Sequence, residues 1–329
     1  MNILVVGAGA WGTALAISFA ARHTVTLWAR DATQRRQLSA TRSSMYLPTM
    51  SLPAAVNVAE DFDAALAQSE LVLAVTPTAG LRPLLRQICA ARRDYLSLPI
   101  IWACKGFEQE SAALPHQIVA NELGSAARCG ALSGPSFALE VARGLPTAVT
   151  LAALDARFAM DTAHVLHQAR FRVYFSTDLI GVEVGGAVKN VMAIATGIAD
   201  GLGMGLNARA ALITRGLAEL TRLGIALGGK AETFMGLSGA GDLILTCTGD
   251  LSRNRRVGLM LAEGQTLNAT LHALGHVAEG VHTVQSVAQI AQSLGIEMPI
   301  TEAVAAVLFG GIPARAAVER LLARDPRSE

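Results

Sequence analysis

The chain has 329 residues, enough for two domains at roughly 100–200 residues each. It is 52% hydrophobic with a mean hydropathy of +0.40, yet Glu183, Lys189 and Asn190 divide residues 179–199, and Pro313 and Arg315 end the apolar stretch after Ala303. An unbroken run of ~18–20 apolar residues is therefore not expected, and Lys+Arg 27 against Asp+Glu 26 leaves a net charge of +1, too small to draw in nucleic acid or anionic lipid through a broad field.

Residues 2–6 are short, apolar and β-branched, and residues 13–21 read as a helix. Between them Gly7, Gly9 and Gly12 fit G-x-G-x-x-G. In a strand–turn–helix each glycine has a separate reason to lack a side chain. Gly7 makes the turn, Gly9 admits a pyrophosphate to the backbone, and Gly12 lets the helix lie close to the strand. The helix start adds unpaired N–H groups and a partial positive charge for that anion. This turn also interrupts the one apolar stretch near residue 1, so no secretory signal is expected. Cys89, Cys104, Cys129 and Cys247 form no C-x-x-C, and read as reduced thiols of a cytoplasmic protein.

Further strands are expected at 24–28, 71–75, 100–103, 130–133, 146–151 and 171–175, with helices at 33–40, 61–68, 81–90, 113–123 and 156–168. Strands alternating with helices imply a Rossmann-type, doubly wound, mostly parallel sheet. The direction of the last strands is left open by the pattern. From residue 179 onward helices alone are expected, several ending at glycine. The chain thus reads as α/β: a dinucleotide-binding domain over residues 1–178 and an all-α substrate-binding domain over 179–329. The alanine-rich helical half predicts a homodimer. A substrate belongs at the carboxyl edge of the sheet, facing the second domain.

The second strand ends Trp28-Ala29-Arg30-Asp31, where an NAD-selective fold places an acid on the ribose 2′-hydroxyl. Arg30 instead suits a 2′-phosphate or stacks on adenine, which favours NADP(H) with NAD(H) also usable. The bland alternative makes Arg30 and Asp31 a solvated turn.

Four more stretches carry chemistry. WACKGFE sets Lys105 after a strand, and SGPSF sets Gly134 and Ser136 after the next. GVEVGGAVKN holds Lys189 and Asn190, and GAGDLILTCTGDLSRNRR supplies Asp242 and the cluster Ser252, Arg253, Asn254. With YLP, VAEGVHT and EMPIT, these stretches make the whole chain resemble the bacterial NAD(P)-dependent glycerol-3-phosphate dehydrogenases. The resemblance implies reduction of dihydroxyacetone phosphate to sn-glycerol 3-phosphate, reversibly, as a supply for glycerophospholipid synthesis. It makes Lys189 the general acid/base and Lys105 a second positive charge that touches both substrate and cofactor. It gives the substrate Gly134, Ser136, Lys189, Asp242, Ser252, Arg253 and Asn254. It gives the cofactor Ala10 and Trp11 beside the three glycines, Ala138, Arg253, Val277 and Glu279. The chemistry agrees: hydride attack on a ketone leaves an alkoxide, which needs a proton donor and nearby positive charge. A free lysine, with a pKa near ~10.4, is a reluctant base for the reverse step unless burial or a second cation lowers it. Residue 10 is alanine where the family often has serine, and the turn Arg22-His23-Thr24 is short.

Rival readings remain open at this point. One is a hydroxyacid or 6-phosphogluconate type of two-domain dehydrogenase, and another is a nucleotide-sensing protein without activity. Asp242 could cap the following helix, the SRNRR run could be a solvated face, and Asn190 could serve helix packing alone. The pairs His164/His167 and His272/His276 have no adjacent carboxylate ligand candidate and no H-E-x-x-H pattern, so no metal is expected. Ser238 in GLSGA misses the G-x-S-x-G elbow.

Overall fold

The computed structural model describes residues 1–274 and 279–325. They form two compact units. The first comprises Met1–Glu108 and Ala113–Leu179, the second Gln109–Ala112 and Ile180 onward.

The first unit runs β1 (Asn2–Val6), α1 (Ala10–Phe19), β2 (Thr24–Trp28), α2 (Ala32–Thr41), β3 (Ser43–Ser44), β4 (Leu47–Ser51), β5 (Val56–Val58), α3 (Phe62–Ala67) and β6 (Leu71–Ala74). It continues α4 (Thr78–Ala91), β7 (Ile100–Trp102), α5 (Pro115–Leu123), β8 (Cys129–Ser133), α6 (Ala138–Ala142), β9 (Thr147–Ala152), α7 (Ala156–Leu166) and β10 (Phe171–Ser176). Eight strands make one sheet in the order β10-β9-β8-β7-β6-β1-β2-β5, while β3 and β4 pair as a separate hairpin. Neighbours from β8 across to β5 are parallel. The chain lays β2 and β5 on one side of β1 and β6 onward on the other, so the topological switch falls between β1 and β6.

The direction left open by the sequence is resolved at the far edge. β9 runs antiparallel to β8, and β10 is parallel to β9. The links explain it: only the five-residue α6 separates β8 from β9, whereas the eleven-residue α7 crosses between β9 and β10. A parallel partner needs a full crossover, and a shorter link favours return. The core is apolar throughout, with β1 almost fully buried from Ile3 to Val6 and Phe19 set edge-on against Phe171.

The second unit is helical: α8 (Leu179–Gly201), α9 (Gly205–Ala226), α10 (Ala231–Met235), α11 (Asp242–Thr248), α12 (Arg253–Ala262), α13 (Leu267–Leu274), α14 (Glu279–Ser293), α15 (Pro299–Phe309) and α16 (Ala314–Leu322). The interruptions at Glu183, Lys189 and Asn190 do not stop α8, which is continuous over 23 residues. Among the described residues α8 alone has the length and hydropathy to cross a membrane, and 94% of that window is buried inside the protein. Helix α12 crosses α8 backbone to backbone. A methyl group on Gly197 would meet the Arg255 carbonyl oxygen at 2.1 Å, and one on Gly258 the Ile194 carbonyl oxygen at 2.1 Å.

Candidate active site

On the first unit, β1, β2, β6, β7 and β8 all release the chain at one edge of the sheet. The three glycines have distinct surroundings there. Gly7 has φ +112°, and a Cβ on it would press on the Val75 carbonyl oxygen at 2.4 Å. A Cβ on Gly12 would fall 1.8 Å from the Gly7 carbonyl oxygen, so the helix sits against the turn. Above Gly9 nothing lies within 4 Å, which leaves room for a ligand. The helix starts at Ala10, three residues earlier than its pattern suggests, with Gly9 as N-cap and no side chain capping it. Its first N–H groups are thus available to an anion. Ala10 and Trp11 pack partly against the core, as does Ala138 at the start of α6, which lies on α1.

Two threonines to which no sequence motif points stand at the same switch point. After β6, the hydroxyls of Thr76 and Thr78 are buried with no hydrogen-bond partner among the described residues. Buried polar groups are ordinarily satisfied. The open space over Gly9 and these two orphaned hydroxyls fit a bound dinucleotide phosphate.

Further along the edge, the half-buried Lys105 follows β7 and its Nζ donates to the Gly134 carbonyl oxygen at 3.4 Å. The Ser136 hydroxyl donates to the same oxygen at 2.9 Å. Lys105, Gly134 and Ser136 therefore converge, although 29 residues separate the first two in sequence. Arg30 is exposed at the end of β2, and Asp31 is the N-cap of α2, accepting from the Gln34 N–H at 2.7 Å.

On the second unit, Lys189 lies midway along α8 with 7% of its surface exposed. Its Nζ donates to Asp242 Oδ1 at 2.5 Å and to the Thr246 hydroxyl at 2.9 Å. Asp242 is 1% exposed and opens α11, so its carboxylate serves the lysine rather than capping its own helix. Thr246 sits one turn on and donates to the Asp242 carbonyl at 2.6 Å. The i, i+4 spacing of Asp242 and Thr246 was the signal available for this residue. A buried ammonium needs such partners, because an unpaired charge in the interior costs several kcal/mol (about 3–5 when one partner is removed).

The SRNRR stretch opens α12, and its members part company. Ser252 caps the helix, accepting from the Arg255 N–H at 3.2 Å, and Asn254 Oδ1 accepts from the Gly280 N–H at 3.2 Å. Arg253 is exposed, whereas Arg255 is buried and donates from Nε to Asp200 Oδ2 at 2.9 Å and from its terminal nitrogen to Asp250 at 2.9 Å. The run is therefore part structural pillar, part available donor set. The Asp200–Arg255 pair links the end of α8 to the start of α12, and nothing in the spacing of the sequence signals it. Asn190 is buried, and its carbonyl oxygen would lie 3.0 Å from a Cβ at Gly280. Glu279, half-buried, begins α14, while Val277 lies outside the described residues.

Among the described residues no three His, Cys, Asp or Glu side chains gather as a metal site. His167 is occupied otherwise, its Nδ1 accepting from the Val173 N–H at 3.2 Å, and His276 lies outside the described residues. Ser238 is buried in a π-helical turn, its carbonyl packed against Gly185.

A glycine turn with open space at the switch point of a mostly parallel sheet, and elsewhere a buried lysine held by a carboxylate and a hydroxyl, suit a pyridine-nucleotide dehydrogenase; the chain is of that class. Residues 2–159 match the N-terminal profile, and residues 178–319 the C-terminal profile, of the NAD-dependent glycerol-3-phosphate dehydrogenases. Full-length relatives include the glycerol-3-phosphate dehydrogenases [NAD(P)+] of Dechloromonas aromatica, 58% identical over 100% of this chain and 99% of the relative, and Nitrosospira multiformis, 56% identical over the same shares. The crystal structure of the Coxiella burnetii glycerol-3-phosphate dehydrogenase superposes with a TM-score of 0.93 at 42% identity, covering 98% of this chain and 99% of that one. A D-mandelate dehydrogenase, at 13% identity and TM-score 0.62 over 94% of this chain and 98% of that one, shares the fold alone. The chain belongs to the NAD(P)-dependent glycerol-3-phosphate dehydrogenase family and is an oxidoreductase.

Proposed function

We propose that this protein reduces dihydroxyacetone phosphate to sn-glycerol 3-phosphate, reversibly, with NADP(H) preferred and NAD(H) accepted. When bound, the reduced nicotinamide supplies the hydride. Every other requirement falls on the chain. Lys189 gives its proton to the ketone oxygen as negative charge develops there, and takes it back in the oxidation. Asp242 and Thr246 hold the ammonium in one orientation, so no reorganisation is needed at the moment of transfer. Lys105 adds positive charge and, with Gly134 and Ser136, orients the substrate. The substrate phosphate goes to Ser252, Arg253 and Asn254 at the start of α12, where a guanidinium, polar side chains and a helix N-terminus favour an anion.

The first unit binds the dinucleotide: Gly7, Gly9, Ala10, Trp11 and Gly12 take the pyrophosphate, Arg30 the adenosine end, and Ala138 its own share. The family resemblance also assigns Arg253, Val277 and Glu279 to the cofactor. The observation that carries the reading is the buried Lys189–Asp242 pair with Thr246 as third member. Lys189→Met tests it: loss of dihydroxyacetone phosphate reduction, followed by reduced-nicotinamide absorbance, with retained cofactor binding is the expected result. Reduction at the parental rate overturns the mechanism. A homodimeric, cytoplasmic enzyme feeding glycerophospholipid synthesis completes the proposal; sedimentation as a monomer alone would remove the dimer from it.

A further inference from the structure

Consecutive residues in the first turn of α2 reach both ends of the nucleotide cradle. Gln34 Nε2 donates to the carbonyl of Ala8, inside the glycine turn, at 2.7 Å. Arg35 donates from one terminal nitrogen to the carbonyls of Ala29 and Arg30, at 2.7 and 2.9 Å, and its guanidinium lies 5.6 Å from the centroid of the Trp28 ring. It thus gathers the last carbonyls of the β2 tip from which Arg30 projects. Its charge is poorly compensated. Nε is buried without a hydrogen bond, and the ion-pair partner, Glu60, stands 3.9 Å away with 62% of its side chain exposed. The acid next to the strand end, Asp31, turns to the α2 N-terminus, where its carboxylate accepts from Gln34 N–H.

We propose that Arg35 is a specificity-determining residue for the 2′-phosphorylated nucleotide: it fixes the β2 tip that carries Arg30 and sets a second positive charge beneath it. This rests on the NADP(H) reading above. A planar guanidinium can hold two carbonyls and face an indole at once, which a lysine ammonium does less well. A cation held there lowers the free energy of a dianionic 2′-phosphate far more than that of a neutral 2′-hydroxyl. Its effect is therefore selective between the two nucleotides.

The test is steady-state kinetics of the full chain with saturating dihydroxyacetone phosphate and either NADPH or NADH varied. Arg35→Leu should lower the NADPH-to-NADH ratio of kcat/KM about tenfold, through KM for NADPH. Arg35→Lys should fall between that variant and the parent, and Glu60→Gln, which removes the opposing charge, should raise the ratio about twofold. Equal losses with both nucleotides would make Arg35 a plain structural brace and overturn the proposal, as would an unmoved ratio. Should Arg35→Leu fail to fold, the lysine and Glu60 variants decide the matter by the same ratio. Arg30→Asp, run alongside, separates the two ideas. If it alone moves the ratio, the inference about Arg35 fails and the cofactor reading stands; if no variant moves it, both fail.

Discussion

Glu219, in α9, offers a test of the energetics that is independent of catalysis. Its buried carboxylate accepts from the Ile300 N–H at 2.6 Å, the Thr301 N–H at 3.2 Å and the Thr301 hydroxyl at 3.1 Å, and so caps α15 from a neighbouring helix. Burial pushes the carboxyl up from its ordinary 4.5 to about 7, against the downward pull of those hydrogen bonds and of Arg222. In the unfolded chain the same group ionises near its ordinary value. Between the two values the folded state therefore holds more protons than the unfolded state. The stability contributed by this group is complete below 4.5 and is lost as the pH rises through about 7. At about 1.4 kcal/mol per pH unit, the loss between about pH 5 and about pH 8 is roughly 2–3 kcal/mol. Glu219→Gln keeps the shape and one acceptor oxygen but cannot ionise. Urea titrations of parent and variant at both pH values should show the variant gaining that amount relative to the parent as the pH rises. Parallel pH dependence in the two proteins would refute the reasoning.

The glycine turn separates fold from function by adjacent substitutions. Gly12→Ala drives a methyl group into the Gly7 carbonyl and should destabilise the first unit, seen as a lower melting temperature, whereas Gly9→Ala meets open space and should keep the melting temperature while weakening nucleotide binding by titration. Asp200→Asn removes the buried one of the two carboxylates that pair with the Arg255 guanidinium, leaving the exposed Asp250, and should cost about 3 kcal/mol in denaturant titration, with a raised KM for dihydroxyacetone phosphate. Thr246→Val preserves volume but removes one of the acceptors of Lys189; kcat should fall about ten- to a hundredfold with cofactor affinity retained.

Much of the fold is legible in the sequence because periodicity and glycine spacing report local geometry directly. The strands that flank the switch point are continuous apolar runs, and the three glycines differ in surroundings as their spacing implies. The hairpin β3–β4 and the strand β5 leave no such trace, since SS, LPTMS and VNV place polar residues and Pro48 where an apolar run would be needed. Family resemblance brings Lys189 and Asp242 together although 53 residues separate them, a proximity that only tertiary folding creates. Thr246 leaves only its i, i+4 spacing from Asp242 as a trace, and Asp200 and Arg35 stay hidden for the same reason. Each acquires its part from what lies opposite it in space, and threonine, aspartate and arginine are unremarkable in a helix until that neighbour is known.

The crossing of α8 and α12 has a consequence for the range of substrates. Where Gly197 meets Arg255 and Gly258 meets Ile194, main chain abuts main chain, leaving no side chain to trim or enlarge. The spacing between the helix that carries Lys189 and the helix headed by Ser252, Arg253 and Asn254 is thereby set like a fixed gauge, by main-chain contact rather than by adjustable side-chain packing. Drift elsewhere in the helical unit can alter stability while this gauge, on the proposed reading, still suits the same short phosphorylated carbon chain.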